Sequence, residues 1–110
     1  MSNYQEKIDA LWAGTVSNFS INIAKSELYM SVDVLEHNIV SHYTVDIEGI
    51  TEIKYKNKLT DPWDYIELTS MEVSWSDNEW NVSIDFWDVA FLKLKSSVIK
   101  INSENLTRTD

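Results

Sequence analysis

Residues 69–88 read TSMEVSWSDNEWNVSIDFWD, and within them positions 74–88 hold three tryptophans and four carboxylates but no lysine or arginine. Apolar and polar side chains alternate with period two on both sides of residues 76–79, which predicts two antiparallel strands joined by a tight turn. Folding about that turn sets Trp75 against Trp80, Val73 against Val82, Met71 against Ile84 and Thr69 against Phe86. Two of the three tryptophans then become cross-strand core partners. Glu72 and Asp85 point to the other face, while Asp77 and Glu79 occupy the turn. Trp87 falls in the outward phase opposite Leu68, so that end of the hairpin is apolar on both sides. An N-terminal helix can cover it; otherwise Trp87 is an exposed anchor.

The same rhythm runs from about residue 16 to 101. A hairpin about Lys25 and Ser26 places Phe19, Ile21 and Ile23 opposite Val32, Met30 and Leu28, all six on one face. A turn at residues 36–39 sets Val34, Val32, Met30 and Leu28 against Ser41, Tyr43, Val45 and Ile47, and a turn near Gly49 leads into Ile53 and Tyr55. A last hairpin about Ser96 and Ser97 pairs Leu94 with Ile99 and Leu92 with Ile101, leaving Lys93 and Lys100 together on the opposite face. A one-residue slip would turn every side chain over, so loop length and pattern support one another at each turn. At the N-terminus Ser2 and Gln5 match a capping box and Gly14 a left-handed stop, which predicts a helix over about 3–13 with Tyr4, Ile8, Leu11 and Trp12 on one stripe. Pro62 marks the break between two halves of the sheet system. The expected fold is mainly β: an antiparallel two-layer sheet or sandwich of about seven or eight strands with one N-terminal helix. It forms a single domain over 1–101, followed by a flexible tail at 102–110. With two glycines and one proline in the chain, the turns fall to Asn, Asp, Ser and Lys.

At 110 residues and 44% hydrophobic composition the chain is apolar enough to fold around one core despite a net charge of −9. No apolar run reaches the ~18–20 residues that span a bilayer, and the opening MSNYQEKIDALWAG lacks the order of a secretory leader, so a cytoplasmic location is expected. The absence of cysteine removes disulfides, thiolate metal sites and thiol nucleophiles. The negative charge argues against nucleic acid and membrane surfaces and points to a basic protein partner. Residues 26–53 and 59–92 carry six and eight acids and no Lys or Arg, whereas Lys54, Lys56, Lys58, Lys93, Lys95 and Lys100 fall in two short stretches. A dipolar surface is the expected result.

Chemistry-bearing motifs are sparse. The imidazoles are His37, in a turn, and His42, which the register places across from Asp33 on the outward face as an ordinary exposed ion pair. There is no HExxH, no spaced ligand cluster, no EF-hand order around Asp77 and Glu79 and no phosphate-cradling glycine loop, so neither a metal nor a cofactor is expected. A non-enzymatic role follows. Three roles remain: a protein-binding module, a carbohydrate-binding module that stacks Trp63, Trp80 or Trp87 on a sugar, and a structural domain without ligand. The inward phase of Trp75 and Trp80 counts against the sugar. For protein binding, Glu72, Asp77, Glu79, Asp85 and Asp88 supply attraction, with Trp63 and Trp87 as anchors.

The segments DPWDYIELTSMEVSW, NVSIDFWD and SSVIKI, on a cysteine-free chain of this size, resemble the small bacterial immunity proteins encoded beside polymorphic toxins. The likeness spans roughly residues 16–101 and lies in strand rhythm and aromatic, acidic texture. It implies a cytoplasmic, non-enzymatic inhibitor that occupies the cleft of a basic toxin domain.

Overall fold

The computed structural model describes residues 4–58 and 66–107. Helix α1 (Tyr4–Asp9) precedes seven strands: β1 (Thr15–Asn22), β2 (Glu27–Glu36), β3 (Ile39–Asn57), β4 (Ile66–Ser76), β5 (Glu79–Phe86), β6 (Ala90–Ile101) and β7 (Glu104–Asn105). All pairings are antiparallel. The fold is thus the mainly-β antiparallel one expected, in the form of a single sheet. Its neighbours run β3-β2-β1-β4-β5-β6-β7, and β3 also pairs with β6. Six strands therefore close into a ring, flattened to overall extents of 38 × 35 × 22 Å, and closure leaves few unpaired strand edges. The ring is held unequally: β3 and β6 share a long ladder, whereas β1 and β4 meet only at Thr15↔Glu67 and Val16↔Ile66.

The central hairpins keep the expected register. Asp33 faces His42, Met30 faces Val45, Met71 faces Ile84 and Trp75 faces Trp80. Their tips are the consecutive positive-φ pairs His37 (52°) and Asn38 (65°), and Asp77 (55°) and Asn78 (62°). Two left-handed residues in succession match the twist of a hairpin, and short polar side chains tolerate them without glycine.

Several expectations need correction. The first hairpin slides by two residues, giving Phe19↔Met30 and Ile21↔Leu28, and a bulge at Ser17 then sets Val16 against Val32. The slide keeps the inward face but leaves Ile23 in the turn, 85% exposed. In β4 the ladder shifts at Thr69, so Leu68, not Thr69, faces Phe86, and Trp87 has no strand partner. The turns expected near Gly49 and at Ser96–Ser97 do not exist; both positions lie inside long strands that pair with each other. Glu48 faces Val98 and Ile50 faces Ser96, so Gly49 and Ser97 meet at one rung. There the buried positions slip from 45 and 47 to the half-buried 50 on β3, and from 92, 94 and 96 to 99 and 101 on β6. Gly49 makes the bend possible: it holds φ +65°, and a Cβ there would lie 2.0 Å from the Ser97 hydroxyl. Lys93 and Lys100 consequently separate, the first facing Lys54 and the second facing Asp46 and bridging to Glu48 at 3.3 Å.

The remaining corrections concern the ends of the chain. Helix α1 stops at Asp9, and the left-handed residue that ends the following turn is Ala13 (φ 62°). Gly14 serves close approach instead, since a Cβ there would sit 2.3 Å from Val32 Cγ1. Ile8 and Leu11 are buried as the stripe requires, but Trp12 lies beyond the helix and is 68% exposed. The expected tail turns back through Asn102 and Ser103, β7 pairs with β6, and Leu106 is buried with its N–H donating to the Ile99 carbonyl at 2.7 Å. Ser2, Pro62 and Trp63 lie outside the described residues.

One core fills the ring. Met71, Val73, Val82, Ile84, Leu92 and Leu94 line one wall, Val16, Met30, Val32, Val45 and Ile47 the other, and Ile8 and Leu11 close the gap beside β4. Trp80 is 3% exposed, with Tyr4 and Trp75 both edge-on at 5.0 Å. No helix among the described residues is long and apolar enough to cross a membrane.

Candidate functional site: a tryptophan turn between two carboxylates

The β5–β6 connection turns through Trp87 and Asp88, both left-handed at φ 54° and 56°, with the Val89 N–H donating to the Phe86 carbonyl at 3.0 Å. Such a turn ordinarily carries Asn, Asp or Gly, because a bulky side chain at positive φ is strained. Trp87 takes the position nevertheless, and it is half exposed. Asp85 pins the turn: its Oδ1 accepts the Asp88 N–H at 2.9 Å, while the Asp85 carbonyl accepts the Thr69 hydroxyl at 2.9 Å. The Thr69 bulge that displaced the expected rung thus anchors this loop.

Partial burial raises the Asp85 carboxyl above its ordinary range, opposed by the Asp88 N–H, and the neighbouring Asp88 carboxylate raises it further. Asp85 therefore holds its negative charge at some cost. That cost falls when a cation approaches.

The other expected site residues separate from this turn. Glu72 is exposed on the same outer face, in a row that continues through Ser83 and Lys93 to Lys54. Asp77 and Glu79 lie at the far end of the β4–β5 hairpin, seven residues from Phe86, or about 23 Å along the strand. There Glu79 accepts a hydrogen bond from the Thr51 hydroxyl at 3.2 Å. The acidic face expected is of mixed sign, because Lys54, Lys93 and Lys95 share it. A concavity of about 670 Å³ mixes those lysines with Glu52 and Glu72 and so favours neither sign of ligand. Of the tryptophans offered for sugar stacking, Trp80 is buried, Trp63 lies outside the described residues and Trp87 alone presents a face.

Elsewhere, His42 and Asp33 pair across β2 and β3 as the register requires, on the surface. Among the described residues no three His, Asp or Glu side chains converge to hold a metal ion. Sequence reasoning missed a second apolar group at the Trp87 end of the ring: Trp12, Leu35 and Ile39 are each more than 65% exposed and Val40 is 50% exposed. A signal for the hairpin residues was present, because LEHNIV puts apolar residues on both faces of a strand pair beside its turn. For Trp12 the helical stripe masked it.

No family model matches the chain, and none of the curated proteins matches it.

Proposed function

We propose that the chain is a non-enzymatic protein-binding module that docks on a basic partner, in the manner of an immunity protein neutralising a toxin domain in the cytoplasm. One observation carries this reading: a tryptophan held in a strained left-handed turn, half exposed, between Asp85 and Asp88. Backbone strain at an exposed aromatic persists where it serves recognition, and an aromatic anchor ringed by charge is the usual composition of a binding hot spot. Trp87 supplies the anchor, Asp85 and Asp88 the local charge, and Glu72 a flanking carboxylate. Asp77 and Glu79 contribute only long-range attraction, since the hairpin holds them too far away to touch the same contact. The residues outside this turn that share its face are of mixed sign, which fits recognition of one basic feature better than a broad electrostatic sheet.

The test measures association with the basic protein encoded next to this chain's own gene, by surface plasmon resonance at low and at physiological salt. Asp85→Lys with Asp88→Lys lowers the association rate about tenfold at low salt, and the difference shrinks as salt rises. Trp87→Ala acts on dissociation, speeding it by about tenfold or more. Unchanged rates for both variants at low salt dispose of the proposal.

A further inference from the structure

The exposed apolar group around Trp12 forms a groove of its own. Residues 9–13 on one side and 34–36 of β2 on the other enclose about 340 Å³, with Trp12 and Leu35 as apolar walls and Asp9 and Glu36 at the rims. Both walls are fixed by backbone. The Ala13 N–H donates to the Leu68 carbonyl at 2.9 Å and the Leu68 N–H to the Gly14 carbonyl at 2.8 Å, which ties the turn to β4. Gly14 also lies so close to Val32 and Val34 that nothing larger fits. The opposite wall is a ribbon that leaves the ring: β1 pairs with β2 no further than Asp33, and β6 reaches β3 only from Val45 onward. The tip beyond these points presents Leu35, Ile39 and Val40 to solvent.

Trp12 and Leu35, both exposed and lining one groove on a domain with a complete core, mark a contact. Charge at the rims favours one occupant. The carboxylates Asp9 and Glu36 flank the groove, and among the described residues no lysine or arginine lines it. Lys7, two positions from Asp9, points about 200° away around the helix. Glu36 meets the exposed His37 imidazole at 4.0 Å. A second copy of a chain of net charge −9 would bring like charge to these rims, whereas a cationic segment would complement them.

We infer that this groove receives an apolar side chain of a basic protein segment, with a lysine or arginine on either side of it meeting Asp9 and Glu36. The inference rests on the reading of the chain as a binder of basic protein and adds a second contact at the same end of the ring. Phe86, next to Trp87, pairs with Leu68, and Leu68 is bonded to Ala13 and Gly14. One partner can therefore reach both.

The experiment titrates the full chain with a synthetic twelve-residue peptide that alternates leucine pairs with lysine pairs, following the tryptophan indole N–H signals by NMR. Oligolysine and the same peptide with glutamate for lysine serve as controls. The Trp12 indole is expected to move with the leucine–lysine peptide alone, and Trp12→Ser or the pair Asp9→Lys, Glu36→Lys to weaken that binding about tenfold or more. These positions are exposed, and a retained signal dispersion shows that each variant folds. Movement of Trp12 with oligolysine as large as with the leucine–lysine peptide, no movement at all, or a concentration-dependent dimer in sedimentation that Trp12→Ser abolishes would overturn the groove. Trp87→Ala separates the two proposals. If that variant abolishes binding while Trp12→Ser leaves it intact, the turn stands and the groove falls; the reverse pattern retains the groove and removes the turn.

Discussion

Two tryptophans seven residues apart are used in opposite ways. Trp80 is enclosed by Tyr4, Trp75 and the core, so Trp80→Ala should cost about 3–5 kcal/mol. Trp87 is half exposed at positive φ. Replacing it with glycine forfeits about 100 Å² of burial, worth about 2.5 kcal/mol, and relieves about 1–2 kcal/mol of left-handed strain. Trp87→Gly should therefore change stability by less than about 1.5 kcal/mol while partner binding fails. Urea unfolding of both variants measures the contrast, and equal losses would show Trp87 to be a structural residue. Asp85 adds a pH signature. Its carboxyl is raised by burial and by Asp88, so the folded state favours the protonated form: that stability is present below the ordinary carboxylate range and is lost as pH rises through the raised value. Asp85→Asn keeps an oxygen acceptor for the Asp88 N–H and should flatten stability across that acidic window. Binding of a cationic partner should strengthen over the same window. Matched denaturation curves at several acidic pH values decide the first point.

At the level of strands and turns, Gly49 is the most exacting position. An alanine there adopts φ +65° and meets the Ser97 hydroxyl, so Gly49→Ala should destabilise by about 2 kcal/mol or more, whereas the double change with Ser97→Gly should recover the steric part. Chemical denaturation of the single and double variants tests this. The same corner explains which elements could be read from sequence. The β2–β3 and β4–β5 hairpins were legible because alternation and turn residues agree within twenty positions. Gly49 and Ser96–Ser97 carried the local marks of turns, small residues beside a break in phase, but they are the two halves of one bend, and only a pairing forty-eight residues apart distinguishes the cases. A β3 of 19 residues also exceeds the ordinary strand length. Trp87 was read as a strand residue in the outward phase but lies in the turn after β5, and whether the helix covered it depended on where α1 ended. The turn that follows α1 packs Gly14 against Val32, a contact no local pattern encodes.

Across the whole molecule, eleven β3–β6 pairs contrast with two between β1 and β4. Stability follows buried contact and hydrogen-bond density, so amides in the paired centre of β3 and β6 should exchange only by global unfolding. Those of β1 beyond Val16 should exchange at a lower free energy. Hydrogen exchange resolved by residue tests this order, and uniform protection of β1 and β6 would refute it. The lightly sewn junction also governs how the protein fails. When it parts, β1 and β4 each present a bare row of amides and carbonyls, and the ring reverts to an open ribbon able to trade strands with a neighbouring copy. Substitutions that loosen the Gly14 turn would then promote interlocked dimers before they unfold the chain.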